Sequence, residues 1–353
     1  MRTYLDHNAT SPLRPEARRA LDAALDAAAG NPSSLHQEGR AARALVEKAR
    51  AEVAALSGAS PGEVVFTSGG SEGIAAALHG AAGTVVVSAI EHSAVLEGVR
   101  NLDVILVPCE RSGRVDAGRF IEALRPGVSL AAIQAANNET GVLQPVEEIA
   151  TVCRDLGIPL LVDAVQAAGK IPIPRADLVA LSGHKLGAPQ GTGALIVRDG
   201  LALTPLIAGG AQERRRRGGT EAVALIAAFG AACAATKHDR DLAPLRDRLE
   251  AGLPHGARVH GASVPRVPNT TSVTFPDVPG ETLVIALDLA GVAASTGSAC
   301  ASGAARPSHV LRAMGEGSQA VRFSLGWSST ERDVDTLLGI LPGLLARATM
   351  AGR

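Results

Sequence analysis

Aromatic side chains are scarce in this sequence: one tryptophan, one tyrosine and five phenylalanines among 353 residues. The core must therefore be built from Ala, Val, Leu and Ile, which a hydrophobic content of 46% supplies. Stacking platforms for single-stranded nucleic acid are lacking for the same reason. Net charge is lacking too. The chain has 34 basic and 35 acidic residues, a formal charge of −1, so no global field draws it to nucleic acid or to an anionic membrane. Cysteines number four, Cys109, Cys153, Cys233 and Cys300, and no two stand at CxxC or metal-ligand spacing. That excludes a disulfide framework, gives no reason to expect a metal, and fits a reducing cytoplasm. The opening Met-Arg-Thr-Tyr-Leu-Asp has no apolar leader stretch, and the uncharged run Ala222 to Thr236 is too short to cross a bilayer. A cytoplasmic protein without membrane or nucleic-acid partners is expected.

What is present is alternation. Strand-like runs at Glu63–Thr67, Thr84–Ser88, Val104–Val107, Val128–Ile133, Pro159–Val162, Leu178–Leu181 and Ala194–Val197 are interleaved with helical patterns at Ser71–Ala81, Ser93–Asn101, Asp116–Arg125 and Pro145–Leu156. Two helices precede them, from Pro15 and from Gln37 to Ser57, and helical segments follow from Thr220 to about Leu253. This predicts an α/β fold with a mostly parallel seven-stranded sheet covered by helices on both faces. The last hundred residues read as a smaller α+β domain, with strands at Thr271–Phe275 and Ala320–Ser324 and a final helix capped by Thr330 and Asp333. Residues 13–245 are expected to form the large domain, and residues 1–12 with 246–353 the small one.

Two apolar runs end on chemistry. Leu160-Leu161-Val162 ends on Asp163, and Leu178 to Leu181 ends on Ser182-Gly183-His184-Lys185. Parallel neighbours would bring Asp163 and Lys185 together at the carboxyl edge, where open α/β sheets hold their ligands. A lysine facing a carboxylate is what pyridoxal 5'-phosphate needs: the amine forms the Schiff base and the acid keeps the ring nitrogen protonated. A loop lysine and a surface aspartate would read the same in isolation. Gly70 and Ser71 open a helix after a strand and suit a phosphate, although ordinary αβ turns have this composition. His92 follows another strand and is the flat partner left for a cofactor ring, Trp327 and Tyr4 being remote in sequence. Asn138 and Gln166 could reach the ring oxygen, or Asn138 a substrate carboxylate. Ser182 and His184 could donate to phosphate. Arg322 matches a carboxylate bidentately, or a surface salt bridge. Cys300 lies in a Gly, Ala, Ser and Thr segment from Ser295 to Gly303, expected to be mobile and exposed, and is a candidate nucleophile.

Taken together, these segments resemble the cysteine desulfurases, a branch of the class V, fold-type I pyridoxal phosphate enzymes. Tyr4-Leu5-Asp6-His7-Asn8-Ala9-Thr10, Glu91-His92-Ser93-Ala94-Val95, Asn137-Asn138-Glu139-Thr140-Gly141, Val162 to Gln166 and Ser182 to Lys185 carry the likeness. Ser298-Ala299-Cys300 followed by Pro307 to Arg312 resembles the subgroup with a long mobile cysteine loop, which serves iron–sulfur cluster assembly and thiolation. The resemblance implies a homodimer in which Thr220, in Gly218-Gly219-Thr220, completes the partner's phosphate site. It also implies L-cysteine as substrate and a sulfur-acceptor protein as partner. Lys185, His92 and Cys300 would be catalytic, and Arg322 and Asn138 would hold the substrate. Selenocysteine lyase, or another class V enzyme on this fold, is the alternative. The chain departs from the family after Lys185, where Leu186 to Gly191 replaces a bulkier and a basic residue, and in the short stretch from Met314 to Arg322. These departures leave the acceptor open.

Overall fold

The computed structural model describes residues 2–27, 30–297, 307–317 and 319–351. The chain opens with the two-residue strand β1 (Thr3–Tyr4), then helices α1 (Pro15–Ala27) and α2 (Gln37–Ser57). Strands and helices then alternate: β2 (Val64–Thr67), α3 (Gly70–His79), β3 (Thr84–Ser88), α4 (Ser93–Gly98), β4 (Val104–Val107), α5 (Ala117–Ala123), β5 (Val128–Gln134), α6 (Val146–Leu156), β6 (Leu160–Asp163), β7 (Leu178–Ser182) and β8 (Gly193–Val197). These seven strands form one sheet in the order β2-β8-β7-β6-β5-β3-β4. Only β8 runs against its neighbours, pairing antiparallel with β7 and β2. The expected mostly parallel seven-stranded sheet is present. Strands β6, β7 and β8 are buried along their whole length, which is why they read as unbroken apolar runs rather than alternating ones.

Helices cover both faces. On one, α1, α2, α5, α6 and α7 (Val223–Ala235) pack through Val46, Val53, Phe120, Ile149 and Phe229; on the other, α3 and α4 pack through Ile74 and Val95. Helices α2 and α7 touch almost backbone to backbone. A Cβ at Gly230 would meet the Ala49 Cα at 2.5 Å, so only glycine admits this approach. The helical segments expected from Thr220 are two: α7 ends in a 3-10 turn at Thr236–His238, and α8 (Ala243–Ala251) follows with Pro244 in its first turn.

The remaining strands are short. β9 (Arg258–Val259), β10 (Thr270–Thr274) and β12 (Val321–Ser324) make an antiparallel sheet, and β11 (Val292–Ala293) pairs parallel with β1. Helices α9 (Gly280–Leu289), α10 (His309–Ala313) and α11 (Glu331–Ala351) surround them. Thr330 N and its hydroxyl both donate to Asp333, at 2.8 and 2.7 Å, and fix the start of α11. A separate apolar core joins Leu5, Leu242, Leu249, Phe275, Leu283, Phe323 and Leu341.

Candidate active site

The strand order places β4 and β5 on opposite sides of β3. At such a switch point the loops after the strands diverge and leave a crevice at the carboxyl edge. A cavity of about 400 Å³ lies there. It is lined from the ends of β2 (Gly70, Ser71), β3 (His92), β5 (Asn138), β6 (Asp163, Gln166) and β7 (Ser182, His184, Lys185), and by Arg322 of β12. Ten of the residues singled out from sequence thus meet in one cavity.

Asp163 and Lys185 arrive as expected, because β6 and β7 pair in parallel with Asp163 opposite Ala180. Asp163 is buried and its Oδ1 accepts from Val165 N at 3.0 Å. Burial raises its pKa, while His92 and Lys185 favour its charged form. Lys185 sits in the 3-10 turn Gly183–Lys185, and its Nζ donates to Asn8 O at 2.6 Å and Ala9 O at 2.7 Å. The neighbouring His184 takes its Nδ1 contact with Thr10 Oγ1 at 3.1 Å, and burial beside Lys185 holds its pKa down to about 4. His184 is therefore neutral at physiological pH.

His92 caps α4, accepting from Ala94 N at Nδ1 over 3.1 Å. In the neutral ring this puts the proton on Nε2. The two larger aromatics are engaged elsewhere: Tyr4 lies edge-on to His7 at 5.3 Å, and Trp327 lies under the Arg14 guanidinium at 5.5 Å. At the start of α3, no side chain caps the helix, and a Cβ at Gly70 would strike Val165 Cγ2 at 2.7 Å. The uncapped amide end leaves a cradle for an anion beside Gly70, whose missing side chain makes room for Val165.

Arg322 is buried, not at the surface. Its two terminal nitrogens donate to Asn138 O at 2.9 Å and to Asp6 Oδ1 at 2.8 Å. Its Nε is buried with no hydrogen-bond partner among the described residues. A buried donor of this kind is costly unless a ligand satisfies it. This orphan, the Gly70 cradle and the lysine–carboxylate pair fit pyridoxal phosphate carrying an amino-acid substrate.

One described residue read from sequence is not brought to this cavity. Thr220 is exposed and does not line it. Cys300 lies outside the described residues, as does most of the segment expected to be mobile. Of the other cysteines, Cys153 and Cys233 are buried and Cys109 half-buried. Burial raises all three thiol pKa values, that of Cys153 to about 12, so none is an activated nucleophile. The arginine run lies beside the site without entering it. Arg217 pairs with Glu72 of α3 at 3.0 Å, while Arg214 and Arg216 reach the Pro61 and Gly62 carbonyls.

Some of the machinery was given no role from the sequence. The Asn8 carbonyl accepts from Lys185 and from Gln166 Nε2 at 3.0 Å. Glu91, next to His92, is wholly buried, accepts from the Ser88 hydroxyl and from Gln134 N at 3.0 Å, and has its pKa pushed up to about 8 by burial and by nearby Asp163. Its adjacency to His92 was the only hint.

A half-buried lysine and a buried carboxylate lining one cavity at the carboxyl edge of such a sheet define the fold-type I pyridoxal phosphate class. Comparison narrows it. Residues 3–337 match the family model "Aminotransferase class-V". A cysteine desulfurase of Gluconacetobacter diazotrophicus is 42% identical, over 98% of this chain and 93% of that protein. The solved structure of a NifS-like protein from Rickettsia africae superposes with a TM-score of 0.91 at 32% identity, covering 98% of this chain and all of that one. A structure of SspA in complex with cysteine matches with a TM-score of 0.83 at 31% identity, over 93% of this chain and 100% of that one. The chain belongs to the class-V aminotransferase family and, within it, to the cysteine desulfurases.

Proposed function

We propose that the chain is a pyridoxal-phosphate-dependent cysteine desulfurase, converting L-cysteine to L-alanine and leaving the sulfur on Cys300 as a persulfide. The observation that carries the reading is the meeting of Lys185, Asp163, His92 and the orphaned Arg322 Nε in one cavity. When bound, pyridoxal phosphate supplies an electron sink for the bonds at the substrate's Cα. Lys185 would hold it through its amine, Asp163 at the ring nitrogen, Gln166 at the ring oxygen and His92 at the ring face. Gly70, Ser71, Ser182 and His184 would hold the phosphate.

Arg322 Nε and Asn138 orient the substrate carboxylate. Lys185 takes the Cα proton, with His92 as a second proton carrier. The Cys300 thiolate attacks the substrate sulfur. An S–S bond forms, the C–S bond breaks and its electron pair goes to carbon, where a proton completes the alanine methyl group. One thiol and one cysteine become one persulfide and one alanine, so no outside oxidant or reductant is required.

The same reading divides the chain into residues 13–245 and a smaller unit of 1–12 with 246–353, supported by the separate core around Leu5 and Leu283, which Leu242 also joins. It includes a homodimer in which the exposed Thr220 serves the partner's phosphate, a cytoplasmic setting, and a sulfur-acceptor protein in iron–sulfur or thiolation pathways. No helix among the described residues is long and apolar enough to cross a membrane.

The test is direct. The purified protein should be yellow and should form alanine and sulfide from cysteine. Cys300→Ala should keep the colour and form no persulfide. Wild-type rates of sulfur release by Cys300→Ala would instead assign a lyase of the selenocysteine type.

A further inference from the structure

The 34 basic residues of this chain include only four lysines: Lys48, Lys170, Lys185 and Lys237. Two of them share one corner of the molecule. Lys170 Nζ donates to Gln166 Oε1 at 2.7 Å and to Asn8 Oδ1 at 3.4 Å. Gln166 Nε2 and Lys185 Nζ both donate to Asn8 O, at 3.0 and 2.6 Å. Lys170 does not line the active-site cavity. It lines a second one, of about 360 Å³, behind Lys185, and Lys185 lines both.

A glutamine amide can turn either its oxygen or its NH2 toward a ligand, whereas a lysine only donates. Lys170 therefore draws Gln166 Oε1 to itself and leaves the NH2 facing Asn8 and the cavity. We propose that Lys170 is a positioning residue for the cofactor site: it fixes Gln166 as a donor and sets a second positive charge against Lys185. This rests on the reading that Lys185 carries pyridoxal phosphate.

The amino group of Lys170 is desolvated, and with Lys185 and Arg322 repelling it, its pKa falls to about 7. The other charged and titratable groups lining this second cavity are His7, Arg14, Asp239, Arg240 and Asp241. His7 is held neutral by burial, its pKa lowered to about 4, and Arg14 is paired with Asp239. Repulsion between like charges is mutual. A charged Lys170 makes the nitrogen of Lys185 release its proton at lower pH.

The experiment is a pH titration of the visible absorption of the cofactor-loaded protein and of two variants. Lys170→Met should move the midpoint up by about one pH unit. Lys170→Arg, which keeps the charge, should leave it at or below the wild-type value. An unshifted Lys170→Met overturns the proposal. If that variant does not fold, an upward shift in a folded Lys170→Arg does the same. Carbon-13 labelling at lysine Cε gives a readout independent of turnover and colour. The resonance lost in Lys170→Arg should titrate near neutrality, and titration at the ordinary value for a solvated lysine would count equally against the idea. A colourless wild-type protein would overturn the parent reading. A coloured one whose midpoint ignores Lys170 would overturn only this inference.

Discussion

The Ser308 hydroxyl donates a 2.6 Å hydrogen bond to Glu139 Oε2. It ties the Asn137–Gly141 turn after β5 to the start of α10, 169 residues away in sequence. The same hydroxyl accepts from Leu311 N at 3.0 Å and so caps α10. Glu139 is buried, and a Cβ at Gly297 would lie 3.4 Å from its side chain. One carboxylate thus gathers both described ends that flank residues 298–306.

Ser308→Ala loses a helix cap and a hydrogen bond to a buried carboxyl at once. We expect a loss of about 2 kcal/mol in stability, read from urea denaturation, and a fall in sulfur release larger than the fall in cysteine-induced spectral change. Equal losses in both would separate Glu139–Ser308 from the presentation of Cys300.

Lys185→Ala should fold and lose the visible band of the loaded protein. Asp163→Ala should bind some cofactor and turn over slowly, because the ring nitrogen would no longer keep its proton. A wild-type spectrum in the first variant, or near-normal turnover in the second, removes that residue from the site.

Arg322→Lys should raise KM for cysteine by at least about tenfold, because the compact ammonium cannot reproduce the fork that serves Asp6, Asn138 and the orphaned Nε together. Steady-state kinetics that show only a lower kcat would assign Arg322 to the chemical step instead of substrate holding.

Glu91 gives a pH signature. Its folded-state pKa of about 8 lies above the usual carboxylate value. The folded protein therefore binds the extra proton, and stability falls as pH rises from about 4.5 to about 8, by at most about 1.4 kcal/mol per pH unit for one group. Glu91→Gln keeps an oxygen for Ser88 and Gln134 and removes the titration. Its stability, measured by thermal or urea unfolding, should vary less with pH than the wild type's and gain on it toward pH 8.

Arg50 and Glu213 form a bidentate pair at 2.8 Å, both almost wholly buried. Glu213→Ala would leave the guanidinium only Glu47 and the Val64 carbonyl, and would strand the Phe66 N–H that Glu213 also accepts. The expected loss is about 3–5 kcal/mol, measured by denaturation. A loss below about 1 kcal/mol would mean that water reaches Arg50 easily.

The elements that position the site were legible for a physical reason. Strands buried on both faces must be continuous apolar runs, and the residues that end those runs, Asp163 and Ser182 to Lys185, must stand at the sheet edge. The reversal of β8 was not legible, since a strand buried on both faces looks alike in either direction. Lys170, Glu91 and the Asn8 carbonyl escaped for another reason. Their roles come from partners far along the chain, and Lys170 in particular reads as a surface lysine until Gln166 and Asn8 are seen beside it.

Asn8 is also where the two ends of the sequence meet. Its backbone N–H donates to Ser324 Oγ, its amide reaches Thr270, and Asn269 donates back to it, while its carbonyl receives Lys185. During synthesis the lysine and its sheet emerge long before β10 and β12 do. Until those late strands arrive, the segment that receives Lys185 lacks its anchors from Ser324, Thr270 and Asn269. Closure of the cofactor pocket is therefore a late, long-range event, and a nascent chain halted before Ser324 would carry a formed sheet and an unfinished site.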